Sequence, residues 1–199
     1  MKIKKRDLEI ALAKVPPFRD PDPDLEQYPT PATIAADILF YAYGKGDIEG
    51  MKVLDLGCGT GMFSIGAWLL GAGMVIGVDV SEKALATAKE CAAAFGADID
   101  LRLSDVADVD EGSDTVVMNP PFGCQNRRAD REFLDRAMGS AECIYSIHKA
   151  ETLDFVKEYA SERGRAVAYN KVYKYEIPHT FSFHNKEKQT VDIVVVNIR

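Results

Sequence analysis

The stretch Asp55-Leu56-Gly57-Cys58-Gly59-Thr60-Gly61 constrains the fold more than any other part of the chain. It ends the apolar run Met51–Leu56, which reads as a buried strand, and it opens a helical pattern over 60–71. Glycines at alternate positions permit a sharp reversal and a close approach of backbone to a ligand. A strand that turns through such a loop into a helix is half of a βαβ unit. Units of this kind build a mostly parallel sheet with helices on both faces.

The rest of the chain repeats the alternation. Strands are expected over Met74–Val80, Ile99–Leu103, Asp114–Met118 and Cys143–Ile147. Helices are expected from Ser81 as N-cap to about residue 95, over 130–139 and over 150–162. The stretches 165–176 and 190–198 are β-rich with no helix between them, so they predict a hairpin and one antiparallel strand. The expected fold class is therefore α/β: a seven-stranded, mostly parallel sheet with helices on both faces. Residues 1–29 read as an N-terminal arm, because Pro16, Pro17, Pro21, Pro23 and Pro29 exclude a continuous helix. Residues 30–199 read as one domain, with Thr30 as N-cap, Pro31 in the first helical position and the helix ending at Gly44 or Gly46.

Composition narrows the class of function. No apolar run is long enough to span a bilayer, and no apolar segment follows Met1-Lys2-Ile3-Lys4-Lys5-Arg6, so neither a membrane nor a secretory route is expected. The cysteines Cys58, Cys91, Cys124 and Cys143 have no CxxC spacing and no histidine cluster, which excludes a zinc motif and fits a reducing cytoplasm. The net charge of −7 opposes binding to phosphates. The charge is segregated, however. Acids dominate 98–114, while Arg163, Arg165, Lys171, Lys174, Lys186 and Lys188 crowd 163–188. A basic face and a merely solvated surface are equally compatible with that pattern.

Acids stand at three successive strand ends: Asp55, Asp79 and Asp105. A pyrophosphate would be repelled by Asp55 beside the glycine loop, whereas a sulfonium with a free amino group tolerates it. Asp79 is placed to accept ribose hydroxyls, with Val80 beside it. Asp105 is placed to accept an adenine amino group, with the Val106 backbone at a ring nitrogen. Gly57 and Gly59 supply the loop. Gln27, Tyr28 and Thr30 precede the first helix and are candidates to close over the ligand, against a reading as cap and packing. The pattern points to S-adenosyl-L-methionine, bound at the carboxyl ends of the strands.

Asn119-Pro120-Pro121-Phe122 follows the strand Thr115-Val116-Val117-Met118. An exocyclic amine is a poor nucleophile because its lone pair is delocalised into the ring. The Asn119 side-chain oxygen and the Pro120 carbonyl are two acceptors for its hydrogens, and they stabilise positive charge developing on nitrogen during attack. Pro120 and Pro121 fix the backbone, and Phe122 offers a face for an extruded base. The chemistry read from these residues is methyl transfer to a planar amino group. An ordinary Asn-Pro turn is the plain alternative.

These motifs resemble a family of Rossmann-like class I methyltransferases that make N6-methyladenosine in small-subunit ribosomal RNA. The resemblance rests on Leu25-Glu26-Gln27-Tyr28-Pro29-Thr30-Pro31, the glycine loop, Met118-Asn119-Pro120-Pro121-Phe122-Gly123, Tyr145-Ser146-Ile147-His148-Lys149, Phe181-Ser182-Phe183-His184 and Val191-Asp192-Ile193. It implies cofactor contacts from Gln27, Thr30, Gly57, Thr60, Met62, Asp79, Asp105 and Val106, and Asn119 through Phe122 as the catalytic element. It also implies RNA as substrate and a small activator of the Trm112 type as partner. An apolar edge on the second strand (Met74, Val75, Ile76, Val78) would accept a strand from such a partner, against a reading of these residues as core. The same catalytic element also serves enzymes acting on a DNA base or a protein glutamine. A cofactor-binding ribosome-assembly factor is the alternative outside catalysis.

Overall fold

The computed structural model describes residues 3–122, 129–178 and 188–199. Gly123, Cys124, Lys186 and the Phe181-Ser182-Phe183-His184 motif lie outside these residues.

Seven strands form one sheet: β1 (Lys52–Leu56), β2 (Met74–Asp79), β3 (Asp100–Leu103), β4 (Thr115–Met118), β5 (Cys143–Lys149), β6 (Val167–Pro178) and β7 (Lys188–Ile198). Their spatial order is β3-β2-β1-β4-β5-β7-β6. The pairs β1–β2, β1–β4, β2–β3 and β4–β5 are parallel. Strand β7 runs antiparallel to both β5 and β6, so it is the one reversed strand. The strand order reverses beside β1, between β2 and β4. The crevice at the carboxyl ends of β1 and β4 is the switch point at which such sheets bind ligands.

Among the described residues six α-helices cover the sheet: α1 (Lys5–Leu12), α2 (Ala32–Lys45), α3 (Met62–Leu69), α4 (Glu82–Phe95), α5 (Ala129–Ser140) and α6 (Leu153–Ser161). Strand residues point alternately to two cores. Val53, Val75, Val117, Tyr145 and Val195 pack with α1, α2 and α3, while Leu54, Ile76, Val116, Ile144 and Val196 pack with α5 and α6. Leu8, Leu12 and Val15, from the proline-rich N-terminal segment, are buried in the first core. Gly66 of α3 admits that contact: a Cβ there would meet Leu39 Cδ1 at 2.2 Å and Leu12 Cδ1 at 3.4 Å.

Two local expectations change. Helix α2 begins at Ala32 with Pro31 as N-cap and no side-chain cap, so Thr30 does not cap it. The Thr30 hydroxyl is engaged by Asn119 instead. The second strand is not an edge either. β2 lies between β1 and β3, and Val75, Ile76 and Val78 are buried, leaving only Met74 exposed. Parallel strands inside a doubly covered sheet bury both faces, and the free edges belong to β3 and β6. Helix α4 is capped by Ser81, whose hydroxyl accepts from Ala84 N, and α2 ends at Gly46 in the left-handed conformation. Among the described residues no helix is long and apolar enough to cross a membrane.

The buried contact between α1 and α3 predicts that Leu12→Ala lowers stability by about 2–5 kcal/mol. Chemical denaturation measures this, and a loss below about 0.5 kcal/mol would show that α1 is not part of the cooperative core.

Candidate active site

A cavity of about 280 Å³ opens at the carboxyl ends of β1, β2 and β4, near the lower end of the range for small-molecule sites. Its floor is the glycine loop. The N–H groups of Gly57 and Cys58 donate to the Val78 carbonyl at 2.8 and 2.9 Å, which ties the loop to the end of β2. Gly59 has φ 55°, and a Cβ there would meet Phe18 Cζ at 2.8 Å. A Cβ on Gly57 would meet Phe133 Cε1 at 3.0 Å. The loop is therefore glycine-rich because two aromatic rings press against it as well as for its turn.

Asp79 is buried at the end of β2 and lines the cavity. Its Oδ2 accepts from Gly59 N and its Oδ1 from Ser81 N, both at 2.8 Å. Burial raises its pKa, and these backbone donors work against that rise. Val80 N–H is a third backbone donor to the carboxylate, which keeps capacity for a further donor. Asp105 lies past β3 and caps a short 3-10 turn, with Oδ1 accepting from Ala107 N at 2.9 Å. Asp105, Val106, Val80, Thr60 and Met62 all line the cavity. So do Gln27, Tyr28 and Thr30 on the opposite side. The Gln27 Oε1 accepts from Asp22 N at 2.8 Å, which shapes the segment that covers the cavity.

Asp55 is placed differently from the expectation. It is fully buried behind the loop and does not line the cavity. Its Oδ2 accepts from both the backbone N–H (2.9 Å) and the hydroxyl (2.5 Å) of Ser64, so it anchors the first turn of α3. The side chains of β1 alternate between faces, and residue 55 falls on the α3 side. Gly77 on β2 leaves room there, because a Cβ would meet Ser64 Oγ at 3.0 Å and Cys58 Sγ at 3.1 Å.

Asn119, Pro120, Pro121 and Phe122 line the cavity opposite Asp79 in the strand order. The Asn119 Nδ2 donates to Thr30 Oγ1 at 3.1 Å. Its Oδ1 is buried with no hydrogen-bond partner. An unpaired buried acceptor is costly, and this one belongs to a residue that lines the cavity. Phe122 N donates to Glu26 Oε2 at 2.7 Å. Phe18, Glu26 and Phe133 are site residues that sequence reasoning missed. Glu26 was visible within the Leu25–Pro31 motif, but Phe18 and Phe133 come from distant segments without a motif.

Among the described residues, the cavity lining holds Asp24, Glu26, Asp79, Asp105 and Glu132 but no lysine or arginine. Part of the basic segment of the sequence is spent on structure. Lys171, Lys5 and the Tyr173 hydroxyl all bond Asp37, and Arg165 binds the Met138 and Ala141 carbonyls. Cys58, Cys91 and Cys143 are buried free thiols, and no metal-binding cluster occurs among the described residues.

Residues 47–197 match a methyltransferase domain family. The chain belongs to that methyltransferase family. Relatives match over nearly their whole length. The rRNA N(6)-adenosine-methyltransferase METTL5 of Danio rerio is 37% identical, over 99% of this chain and 98% of its own. The uncharacterized protein MJ0284 of Methanocaldococcus jannaschii is 38% identical, over 98% of this chain and 94% of its own. The crystal structure of a candidate RNA methyltransferase, PH1948 of Pyrococcus horikoshii, superposes with a TM-score of 0.92 at 40% identity, covering 100% of this chain and 98% of that one. The glycine loop and Asn119 of this methyltransferase both fall inside the matched domain. Gln27, Tyr28 and Thr30 precede it.

Burial pushes the Asp55 carboxyl up to about 7, against the two bonds from Ser64, and the Asp79 charge adds to the rise. Unfolded, the group ionises near 3.8. Between those values the folded state holds the extra proton, so the contribution of Asp55 to stability falls as pH rises. Buried His148, pushed down to about 4 from 6.5, contributes the opposite slope between those values. Comparison with Asp55→Asn isolates the first group. Relative to the variant, the wild type is expected to lose stability, on the order of a few kcal/mol, from about pH 4 to pH 7. Urea unfolding at fixed pH reads this, and a difference independent of pH would remove the buried proton.

Proposed function

We propose that this methyltransferase uses S-adenosyl-L-methionine to make N6-methyladenosine in RNA, with small-subunit ribosomal RNA as the target. The observation that carries the reading is that Asn119, whose Oδ1 has no hydrogen-bond partner, lines the same cavity as Asp79. The names of the full-length relatives support the acceptor.

The residues fit an adenosyl cofactor. Asp79 lines the cavity beside Gly57 and Gly59, and its carboxylate keeps acceptor capacity for ribose hydroxyls. Asp105 and Val106 stand where an adenine edge would lie, and Thr60 and Met62 line the side wall. Gln27, Tyr28 and Thr30 cover the opposite side. The bound cofactor supplies an electrophilic methyl group. Asn119 Oδ1 and the Pro120 carbonyl accept from the target amine, hold its nitrogen lone pair toward the methyl, and stabilise the charge that grows there. Phe122 stacks the extruded base, and Pro120 and Pro121 keep the acceptors from relaxing away.

The partner in this reading is a small activator of the Trm112 type. Strand β3 supports it: β3 is a sheet edge with Leu103 57% exposed, and an edge of this kind accepts an added strand. The acidic lining supports it too, because an RNA phosphate backbone needs cations near the cavity and a partner can supply them. The buried free thiols fit a cytoplasmic site of action.

Methyl transfer from labelled S-adenosylmethionine to unmodified small-subunit rRNA, followed by nucleoside analysis, tests the reading. Label in N6-methyladenosine is expected, with and without the activator compared. Label in another nucleoside or in protein would overturn the acceptor. Asn119→Ala is expected to lower the rate at least about 100-fold while cofactor affinity by calorimetry stays within about threefold. A parallel loss of both would place Asn119 in cofactor binding instead. Asp79→Ala is expected to weaken cofactor binding at least about tenfold, since two ribose hydroxyls lose their acceptors. Unchanged affinity would take Asp79 out of the site.

A further inference from the structure

The Asn119 amide has a donor end and an acceptor end of nearly identical shape. Only the acceptor end suits an amine, whose hydrogens are donors. An amide free to turn over would present its own NH2 to the substrate for part of the time, donor against donor. Nothing on β4 prevents this turn. The side chain that tethers the amide comes from 89 positions away in the chain, where Thr30 Oγ1 accepts from Asn119 Nδ2 at 3.1 Å and leaves Oδ1 buried without a partner.

The same segment grips the catalytic element a second time. Glu26 Oε2 accepts from the Phe122 backbone N–H at 2.7 Å, across 96 positions. Glu26 has φ 50° and is the only non-glycine residue in the left-handed region among the described residues. Such a conformation persists only where its surroundings hold it. Here the chain turns tightly, with Glu26 N donating to the Pro23 carbonyl at 3.1 Å and Tyr28 N to the Glu26 carbonyl at 2.8 Å. The Tyr175 hydroxyl donates to the Pro29 carbonyl at 2.9 Å and fastens the segment to β6. The segment is thus a braced strap, and two of its side chains end on the catalytic element.

We propose that Thr30 and Glu26 are positioning residues for methyl transfer. Thr30 tethers the Asn119 amide through its Nδ2, leaving Oδ1 for the acceptor, and Glu26 holds the backbone at Phe122 so that the base-stacking ring stays in register with that amide. This rests on the amine-methylating reading above. It assigns the strap a part in catalysis that is separate from covering the cofactor.

Four variants decide it: Thr30→Val, Thr30→Ser, Glu26→Ala and Glu26→Gln. Single-turnover methylation is measured at saturating cofactor and RNA, and cofactor affinity separately by calorimetry. Thr30→Val keeps the shape and loses the acceptor, and it is expected to slow transfer about tenfold or more. Thr30→Ser keeps the hydroxyl and is expected to stay within about threefold of wild type. A packing role for Thr30 gives the reverse order, valine active and serine impaired, and would overturn the proposal. Glu26→Ala is expected to slow transfer, and Glu26→Gln, whose amide oxygen still accepts, to restore most of it.

A second readout needs no activity. The side-chain NH2 of Asn119, assigned in 15N-labelled protein by its loss in Asn119→Ala, is expected to be protected from hydrogen exchange in the wild type and in Thr30→Ser. In Thr30→Val that protection is expected to be lost. The Phe122 backbone amide is expected to behave likewise across the Glu26 pair. Equal exchange in all variants would sink the positioning role even if methylation proceeds. A wild type that transfers no methyl group to adenine, with the exchange pattern as expected, would overturn the acceptor assignment and leave the clamp standing.

Discussion

Two buried carboxyl groups hold the glycine loop from opposite sides, and the geometry of the site depends on them. Asp55 fastens the first turn of α3 behind the loop through Ser64. Asp79 receives the Gly59 N–H in front of it. Both groups are buried, so each raises the cost of any movement that would break its bonds. The loop they fix is then close-packed by Phe18 and Phe133, which leaves a cavity whose shape is set before any ligand arrives.

Preorganisation extends to the other wall. Asn119 follows directly on β4, a strand buried on both faces, so its backbone is positioned by the sheet itself. Its side chain is positioned by the strap. The combination separates two tasks that one element could not do alone. The sheet brings the amide to the switch point, and Thr30 bonds its Nδ2. Among the described residues four buried side-chain oxygens have no partner, and of these Asn119 Oδ1 is the one that belongs to a residue lining the cavity. The electrostatics run the other way from those of most RNA-binding surfaces. Carboxylates line the cavity, and several of the cations that the sequence concentrates over 163–188 are bound into the fold by Asp37, Asp135 and backbone carbonyls.

Much of the architecture was legible in the chain. The hairpin was read from the missing helix between 165–176 and 190–198, and β7 is indeed the reversed strand. Ser81 caps α4 and Gly46 ends α2, because caps and left-handed glycines act on their immediate neighbours. Thr30 misled for the same reason: its sequence context is that of a cap, and a contact with Asn119 competes for its hydroxyl. Position along the sheet was not legible either. Strand β2 looked like an apolar edge, and only the order β3-β2-β1 shows that it is interior.

The sequence by itself determined the alternation of elements, the glycine loop at the end of β1, the acids at the ends of successive strands and the Asn-Pro-Pro-Phe element after β4. These are encoded in residues close together in the chain, where periodicity and turn chemistry act. Only the tertiary structure decided which of those acids faces the cavity. Asp79 and Asp105 line it, while Asp55, which pairs with Gly77 one step lower on the same face of the sheet than Asp79, bonds Ser64 at the start of α3. Only the tertiary structure brought Glu26 to Phe122 and Thr30 to Asn119. Those bonds close across most of a hundred residues, and no local rule of sequence reaches that far.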